Sequence, residues 1–242
     1  MSVYRSFNLP HIQPIGASFS ITLTVLDAVP GALLKKLNEE RQRALWEIRQ
    51  DGCPDTSRRI EQTQFLYDRK FNRLLRRKAE QSHPFADERA AKIMVDVLKK
   101  YANSLYYLCA YSVMSNHVHA EIDTSIQLEN RSSSDEFTKL HEIVRLIKGS
   151  SSYQINKLNG TRGQALWPRR YRDRFIRSEH HLMTACKYTL ENPVKAGITT
   201  KVGEHPFTGG MTTEELAALH PQRVYPNPKE LYEKLSNYDK QH

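Results

Sequence analysis

Between Ser18 and Val25 the chain alternates strictly: Phe19, Ile21, Leu23 and Val25 are apolar, with Ser20, Thr22 and Thr24 between them. Period two of this kind predicts a half-buried strand, preceded by a leader punctuated by Pro10, Pro14 and Gly16 and ended by Pro30 and Gly31. The pattern then changes to helical spacing. Leu33, Leu37, Leu45 and Ile48 recur among charges from about Ala32 to Arg49, and a Gly52-Cys53-Pro54 turn breaks this helix. A second charged helix is predicted from about Ser57 to Gln81, with Phe65, Phe71, Leu74 and Leu75 as its apolar members and Arg and Lys dense at its end. From Asp87 to Tyr101, Ile93, Met94, Val97 and Leu98 recur at three- and four-residue intervals, as on one face of a third helix.

Leu105 to Met114 reads as a buried strand, Ser115-Asn116 as a short turn, and His117 to Thr124 as its hairpin neighbour. A Ser-rich loop around Arg131 to Ser134 leads into a helix from about Asp135 to Leu158, apolar at Phe137, Leu140, Val144 and Ile147 and polar at Lys139, Arg145 and Lys148. Tyr171 to Arg177 alternates as another strand. Ser178 is placed to cap a helix from Glu179 to about Glu191. Beyond Gly197 an irregular tail carries helical patches near residues 213–219 and 229–235. The sum is an α+β domain: an antiparallel sheet with helices against one face.

The chain has 242 residues, 39% of them hydrophobic, which suits one main domain with insertions. A net charge of +9 favours a polyanionic partner, nucleic acid above all, although basic proteins without such a partner exist. Three cysteines without a CxxC pair predict a reducing, cytoplasmic setting and argue against a cysteine zinc site. The opening residues lack an apolar secretion core, and no run reaches the roughly 18 apolar residues that span a bilayer, so no membrane association is expected.

In His117-Val118-His119-Ala120-Glu121-Ile122-Asp123 the apolar residues alternate with two histidines and two acids. On a strand both imidazoles project from one face, a preformed half of a metal site. Taken alone, such a strand also reads as the half-exposed polar face of a sheet, and Glu121 and Asp123 either bias the site electrostatically or face solvent. Further on, Tyr188 and Asn192 are four apart, and Pro193 is expected to stop the helix straight after Asn192, so that a phenol and an amide are offered from one helix end. The plain alternative is a core aromatic followed by a helix stop.

Together these segments resemble a known family. Val113-Met114-Ser115-Asn116-His117-Val118-His119 is similar to the His-hydrophobic-His (HUH) signature of the single-strand tyrosine transposases, and Lys187 to Gly197 to their Tyr-x-x-x-Asn-Pro-Val-(Arg/Lys)-Ala-Gly segment. Leu166 to Arg174 resembles their Trp-x-x-x-Tyr-x-(Asp/Glu)-Arg strand, and Lys148 to Ser151 their Lys-x-x-(Ser/Thr) helix pattern. Pro10 to Thr24 resembles the opening strand of the subgroup associated with repetitive extragenic palindromes (REP). The likeness covers most of residues 8–200. Ser115 stands where Pro is usual, and Ala120-Glu121 replaces a common apolar pair.

The resemblance implies a ferredoxin-like, RNA-recognition-like sheet over about residues 1–200; the helical insertion at about 38–82 and the packed tail at 201–242 are less typical of the family. It implies that His117, His119 and Asn192 hold Mg2+ or Mn2+, and that Tyr188 forms a 5′-phosphotyrosyl link to DNA and releases a 3′-hydroxyl. One phosphodiester replaces another, so no nucleotide cofactor is expected. The substrate would be single-stranded DNA folded into a hairpin, near the nucleoid, and monomer and homodimer are both open. Candidate contacts are Arg145 and Lys148 on the helix, Arg169, Arg170, Arg172 and Arg174 interleaved with Trp167 and Tyr171, on which unpaired bases would stack, and Lys187 beside the tyrosine. Two rivals stay open: a zinc hydrolase using Glu121 or Asp123, and a non-catalytic binder of palindromic DNA or RNA derived from a transposase.

Overall fold

The structure, a computed structural model, describes residues 2–6, 9–14, 16–51, 53–77, 83–130 and 137–219. Strands β1 (Ser2–Ser6) and β2 (Leu9–Gln13) pair with each other antiparallel, where the sequence suggested only a leader. β3 (Ser18–Thr24) follows, then helices α1 (Gly31–Gln50), α2 (Thr56–Arg77) and α3 (Glu88–Tyr101). β4 (Tyr107–Met114) and β5 (His117–Asp123) form the hairpin, and the short α4 (Ile126–Asn130) and long α5 (Leu140–Asn159) lead to β6 (Arg172–Phe175). The chain continues through α6 (Glu179–Leu190), α7 (Asn192–Lys195), β7 (Thr208–Gly210) and α8 (Thr213–Ala218).

The main sheet is antiparallel throughout, in the order β6-β3-β5-β4-β7. Without β7, strands β3, β4, β5 and β6 with crossover helices α3 and α5 form a ferredoxin-like β-α-β-β-α-β unit, with its fourth strand beside its first. The alternation of each strand explains the layers. Phe19, Ile21 and Leu23 of β3, Val113 of β4, and Val118, Ala120 and Ile122 of β5 turn to one face, where Ala90, Met94, Val97 and Leu98 of α3 and Ile143, Val144 and Ile147 of α5 close over them. Asp87 caps α3 by accepting from Arg89 N, and Gly160 ends α5 in a left-handed conformation at φ 67°.

Helices α1 and α2 form an antiparallel pair inserted between β3 and α3, joined by Tyr67 Oη donating to Asn38 Oδ1 at 2.5 Å and by a Lys70–Glu40 ion pair at 2.9 Å. The helix expected to run to Gln81 is described as far as Arg77. In the tail, β7 adds a fifth strand beside β4. The approach is close: a Cβ on Gly210 would lie 2.5 Å from Cys109 O. Leu216 and Leu219 then join Leu182 and Cys186 of α6 in a second, smaller core. The patch predicted near 229–235 and the Ser-rich loop lie outside the described residues; the helix expected from about Asp135 starts only at Leu140, after residues 137–139 that are not helical and an extended Lys139 at its cap.

Candidate active site

The second face of the sheet is built by the same alternation. His117, His119, Glu121 and Asp123 line it from β5, all at most 2% exposed, so neither acid faces solvent. Opposite them on β3 stand Thr24, Thr22, Ser20 and Ser18, whose small side chains leave room for imidazole and carboxylate while supplying hydroxyls. Thr22 Oγ1 meets His119 Nδ1 at 3.1 Å, Ser20 Oγ donates to Glu121 Oε1 at 3.1 Å, and Ser18 and Ser125 donate to Asp123.

Asn116, the second residue of the hairpin turn, is fully buried and sets the tautomer of His117. Its Nδ2 donates to Leu75 O at 2.9 Å, which turns Oδ1 toward His117 Nδ1 at 2.6 Å. An amide oxygen only accepts, so Nδ1 carries the proton and Nε2 keeps its lone pair for a metal. Burial, then the charges of His119, Arg76 and His83, pushes the His117 imidazolium well below its ordinary pKa. Burial, then Arg76, brings His119 down to about 4. Both rings are neutral at pH 7, the state a cation needs. Burial pushes Glu121 up to about 7, against hydrogen bonds from Thr189 and Ser20 and the charge of Arg174.

Helix α6 lies across this histidine face, opposite α3 and α5. Ser178 caps it by accepting from His181 N at 3.1 Å, and Leu182, Cys186 and Thr189 are buried beneath it. Thr189 Oγ1 donates to Glu121 Oε1 at 2.7 Å, fixing the rotation of the helix. The preceding residue, Tyr188, is therefore presented to His119: their ring centroids are 6.0 Å apart and perpendicular, while those of His117 and His119 are 4.9 Å apart. Arg76 Nη1 donates to Tyr188 Oη at 3.2 Å, and Lys195 Nζ sits 4.5 Å from the phenol ring centroid.

The helix does not run to Asn192 as the sequence suggested. It stops at Leu190, because Pro193 has no N–H for the Thr189 carbonyl and its ring would clash there, and α7 restarts at Asn192 with proline in its first turn. Asn192 is 0% exposed on α7, which packs on β4, and neither Oδ1 nor Nδ2 has a hydrogen-bond partner. His119 Nε2 is equally buried and equally unpartnered.

These orphaned atoms decide whether the residues fit a metal. Among the described residues no three His, Cys, Asp or Glu side chains cluster as a metal site, so two imidazoles alone would leave a cation short of protein donors. An amide oxygen is the donor that the unpartnered Asn192 would add, and a set of two nitrogens and one oxygen suits a divalent ion that keeps positions open for phosphate oxygens and water. The residues fit such an ion.

The expected nucleic-acid contacts separate. Lys187 is exposed beside Tyr188 and pairs with Glu191 at 3.8 Å. Arg169 and Arg170 are exposed on the loop before β6, Tyr171 is half-buried against the core, and Arg174 is half-buried with its charge felt by Glu121. Arg145 is exposed on α5, which covers the sheet face away from the histidines. Lys148 Nζ is spent on backbone, donating to Pro168 O at 2.6 Å and Arg169 O at 3.2 Å.

Two expectations are corrected. Trp167 offers no platform for a base: it is 8% exposed, its Nε1 donates to Ser151 Oγ at 3.0 Å, and its ring packs 5.6 Å from that of Phe85. Arg172 is not the free surface cation expected, because its guanidinium stacks 3.4 Å from the Phe71 ring centroid, donates to Tyr67 Oη and lies 3.6 Å from Asp68. Its polar neighbours belong to the inserted helix, which periodicity does not place in space. Sequence reasoning gave no role to Arg76 or to the Glu121–Thr189 bond. Asn116 carried a legible signal, a polar turn residue directly before a candidate ligand.

Fold and site together define an α+β protein with a phenol beside two neutral, buried imidazoles. No family model and no curated protein matches the chain. Among solved structures it is similar to a REP-associated tyrosine transposase bound to a REP hairpin, at 17% identity over 93% of this chain and 89% of that chain, with a TM-score of 0.40. A likeness that distant carries no inference about activity.

Proposed function

We propose that this chain is a metal-dependent endonuclease and strand transferase that cleaves and rejoins single-stranded, hairpin-forming DNA through Tyr188. The observation that carries the reading is the Tyr188 ring standing 6.0 Å from the ring of His119, whose Nε2 is buried without a partner. His117, His119 and Asn192 would hold the ion. When bound, a divalent cation polarises the scissile phosphate and offsets the charge that develops on it.

The residues supply the rest. Tyr188 Oη attacks phosphorus, an Oη–P bond forms and the P–O3′ bond breaks. The phenolic proton passes through solvent to the departing 3′-oxygen, leaving a 3′-hydroxyl and a 5′-phosphotyrosine. A different 3′-hydroxyl reverses these changes and joins strands, so no nucleotide cofactor enters. Thr189 bonded to Glu121 keeps α6 in the rotation that presents the phenol, and Asn116 keeps His117 in the tautomer that presents Nε2. A net charge of +9, with Arg169, Arg170 and Lys187 exposed, favours the phosphate backbone.

The test is incubation of the protein with single-stranded hairpin oligonucleotides from the flanks of its own locus, with Mn2+ or Mg2+, followed by denaturing electrophoresis. Wild type is expected to yield a covalent adduct and a 3′-hydroxyl fragment, and Tyr188→Phe neither. Cleavage that survives in Tyr188→Phe identifies a hydrolase instead, and binding without any adduct identifies a non-catalytic binder. Because imidazole donors favour manganese over magnesium, Mn2+ is expected to act at the lower concentration, and equal potency or activity with Zn2+ alone defeats that assignment.

A further inference from the structure

Helix α2 belongs to the insertion between β3 and α3, and a ferredoxin-like sheet does not need it. Its last turn nevertheless reaches the site twice: Leu75 O accepts from Asn116, which orients His117, and Arg76 Nη1 donates to the oxygen of Tyr188 at 3.2 Å. The placement is anchored. Phe71 and Leu75 are buried, and Arg172 of β6 stacks on the rings of Phe71 and Tyr67 from the same helix. Arg76 is half-buried, and among the described residues it has no carboxylate partner.

A guanidinium has donors only, so in this bond the phenol oxygen accepts and its own proton points elsewhere, free to leave. As Tyr188 Oη loses that proton and gathers charge, the contact becomes charge-assisted and strengthens, which is the differential stabilisation that speeds a reaction. Once the Oη–P bond forms, Oη is an ester oxygen and a weak acceptor. The remaining N–H groups of the fork then lie next to the non-bridging oxygens of the phosphate that Tyr188 carries.

Resting on the proposed reaction, we infer that Arg76 is a catalytic residue supplied by the inserted helix, which stabilises the attacking oxygen of Tyr188 and then clamps the phosphodiester-derived phosphoryl group. The insertion is thus part of the active site.

Single-turnover adduct formation on a hairpin oligonucleotide with Mn2+ tests this in wild type, Arg76→Ala, Arg76→Met and Arg76→Lys. Removing a donor aimed at developing charge is expected to slow adduct formation by roughly 10²- to 10³-fold, with oligonucleotide affinity and thermal midpoint close to wild type. Arg76→Lys should recover part of the rate. Guanidinium chloride at low, non-denaturing concentration should raise the Arg76→Ala rate by about tenfold or more and leave wild type and Arg76→Met unchanged, because only the alanine variant leaves space for the ion. Arg76→Ala and Arg76→Met rates within about threefold of wild type, or a loss that guanidinium does not restore, overturn the inference. If wild type itself forms no adduct, the proposed reaction falls first; an adduct in wild type with unaffected Arg76 variants removes only the role of Arg76.

Discussion

Asn192 offers the sharpest test of the site, because folding and metal binding make opposite demands on it. Its amide is 0% exposed and both polar atoms lack partners, an arrangement that costs about 1–3 kcal/mol for a buried group left unsatisfied. Leucine has the same branched outline with methyl groups in place of oxygen and nitrogen. In chelator, Asn192→Leu should therefore remove that penalty, less some strain from its slightly larger volume, and stabilise the protein by about 1–2 kcal/mol. For a chain of this size each kcal/mol moves the melting midpoint by about 2–4 °C.

Saturating Mn2+ should reverse the order. A ligand at a hundredfold excess over its dissociation constant adds about 2.7 kcal/mol to wild type, roughly 5–11 °C. The leucine variant, lacking the amide donor, should gain far less. Asn192→Ala serves as the control, since it removes the amide but leaves a void. Differential scanning fluorimetry with EDTA and with Mn2+ reads both halves. If Asn192→Leu melts below wild type in EDTA and shifts equally with Mn2+, the amide has protein or solvent partners and the ligand assignment is wrong.

Other consequences are simpler to state. Asn116→Ala removes both the Leu75 and His117 bonds inside a buried turn and should destabilise by about 2–4 kcal/mol, measured by urea denaturation, with Mn2+ giving a smaller thermal shift than in wild type. Gly210→Ala places a Cβ 2.5 Å from Cys109 O and should destabilise by about 1–3 kcal/mol, whereas Gly149→Ala, in the α5 interior with open space around it, should stabilise by about 0.5–1 kcal/mol. Equal effects at the two glycines would contradict the close docking of β7. Burial, with the charges of Arg174, Arg177 and His180, lowers His181 to about 4, and its Nδ1 accepts from Arg177 N. Between pH 6.5 and about 4 the unfolded chain thus takes up a proton that the native state refuses, so stability falls as pH falls across that window. His181→Asn should flatten the slope, by on the order of 1 kcal/mol after solvent screening of a half-buried ring, and an unchanged profile would remove His181 as its source.

The elements were legible where the period was long. The strand predicted at residues 18–25 is β3 at Ser18–Thr24, the hairpin turn falls at Ser115-Asn116, and helices predicted at 32–49 and 87–101 are observed at Gly31–Gln50 and Glu88–Tyr101. Alternation also put both histidines on one face, which the register of β5 against Thr22 and Thr24 bears out. The addition of β7 was not legible, because three residues with two glycines show no hydrophobic alternation and pair through backbone alone.

What periodicity could not reach is the sense in which a helix crosses the sheet. It marks which stripe of a helix is buried without saying against what, so the sequence groups Trp167 and Arg172 in one surface cluster, whereas one fills the core and the other locks α2 to β6. The same gap hid Arg76, which is one arginine among many on a charged helix until the fold brings it to Tyr188. The candidate site therefore divides by range. The pair His117 and His119 is a local fact of one strand, readable from seven residues. The phenol and the guanidinium come from two other helices, Asn192 from a third that packs on β4, and only packing brings the first two to that strand. Substitutions that loosen α2 or α6 without touching either histidine should consequently impair the site while leaving the imidazole pair in place.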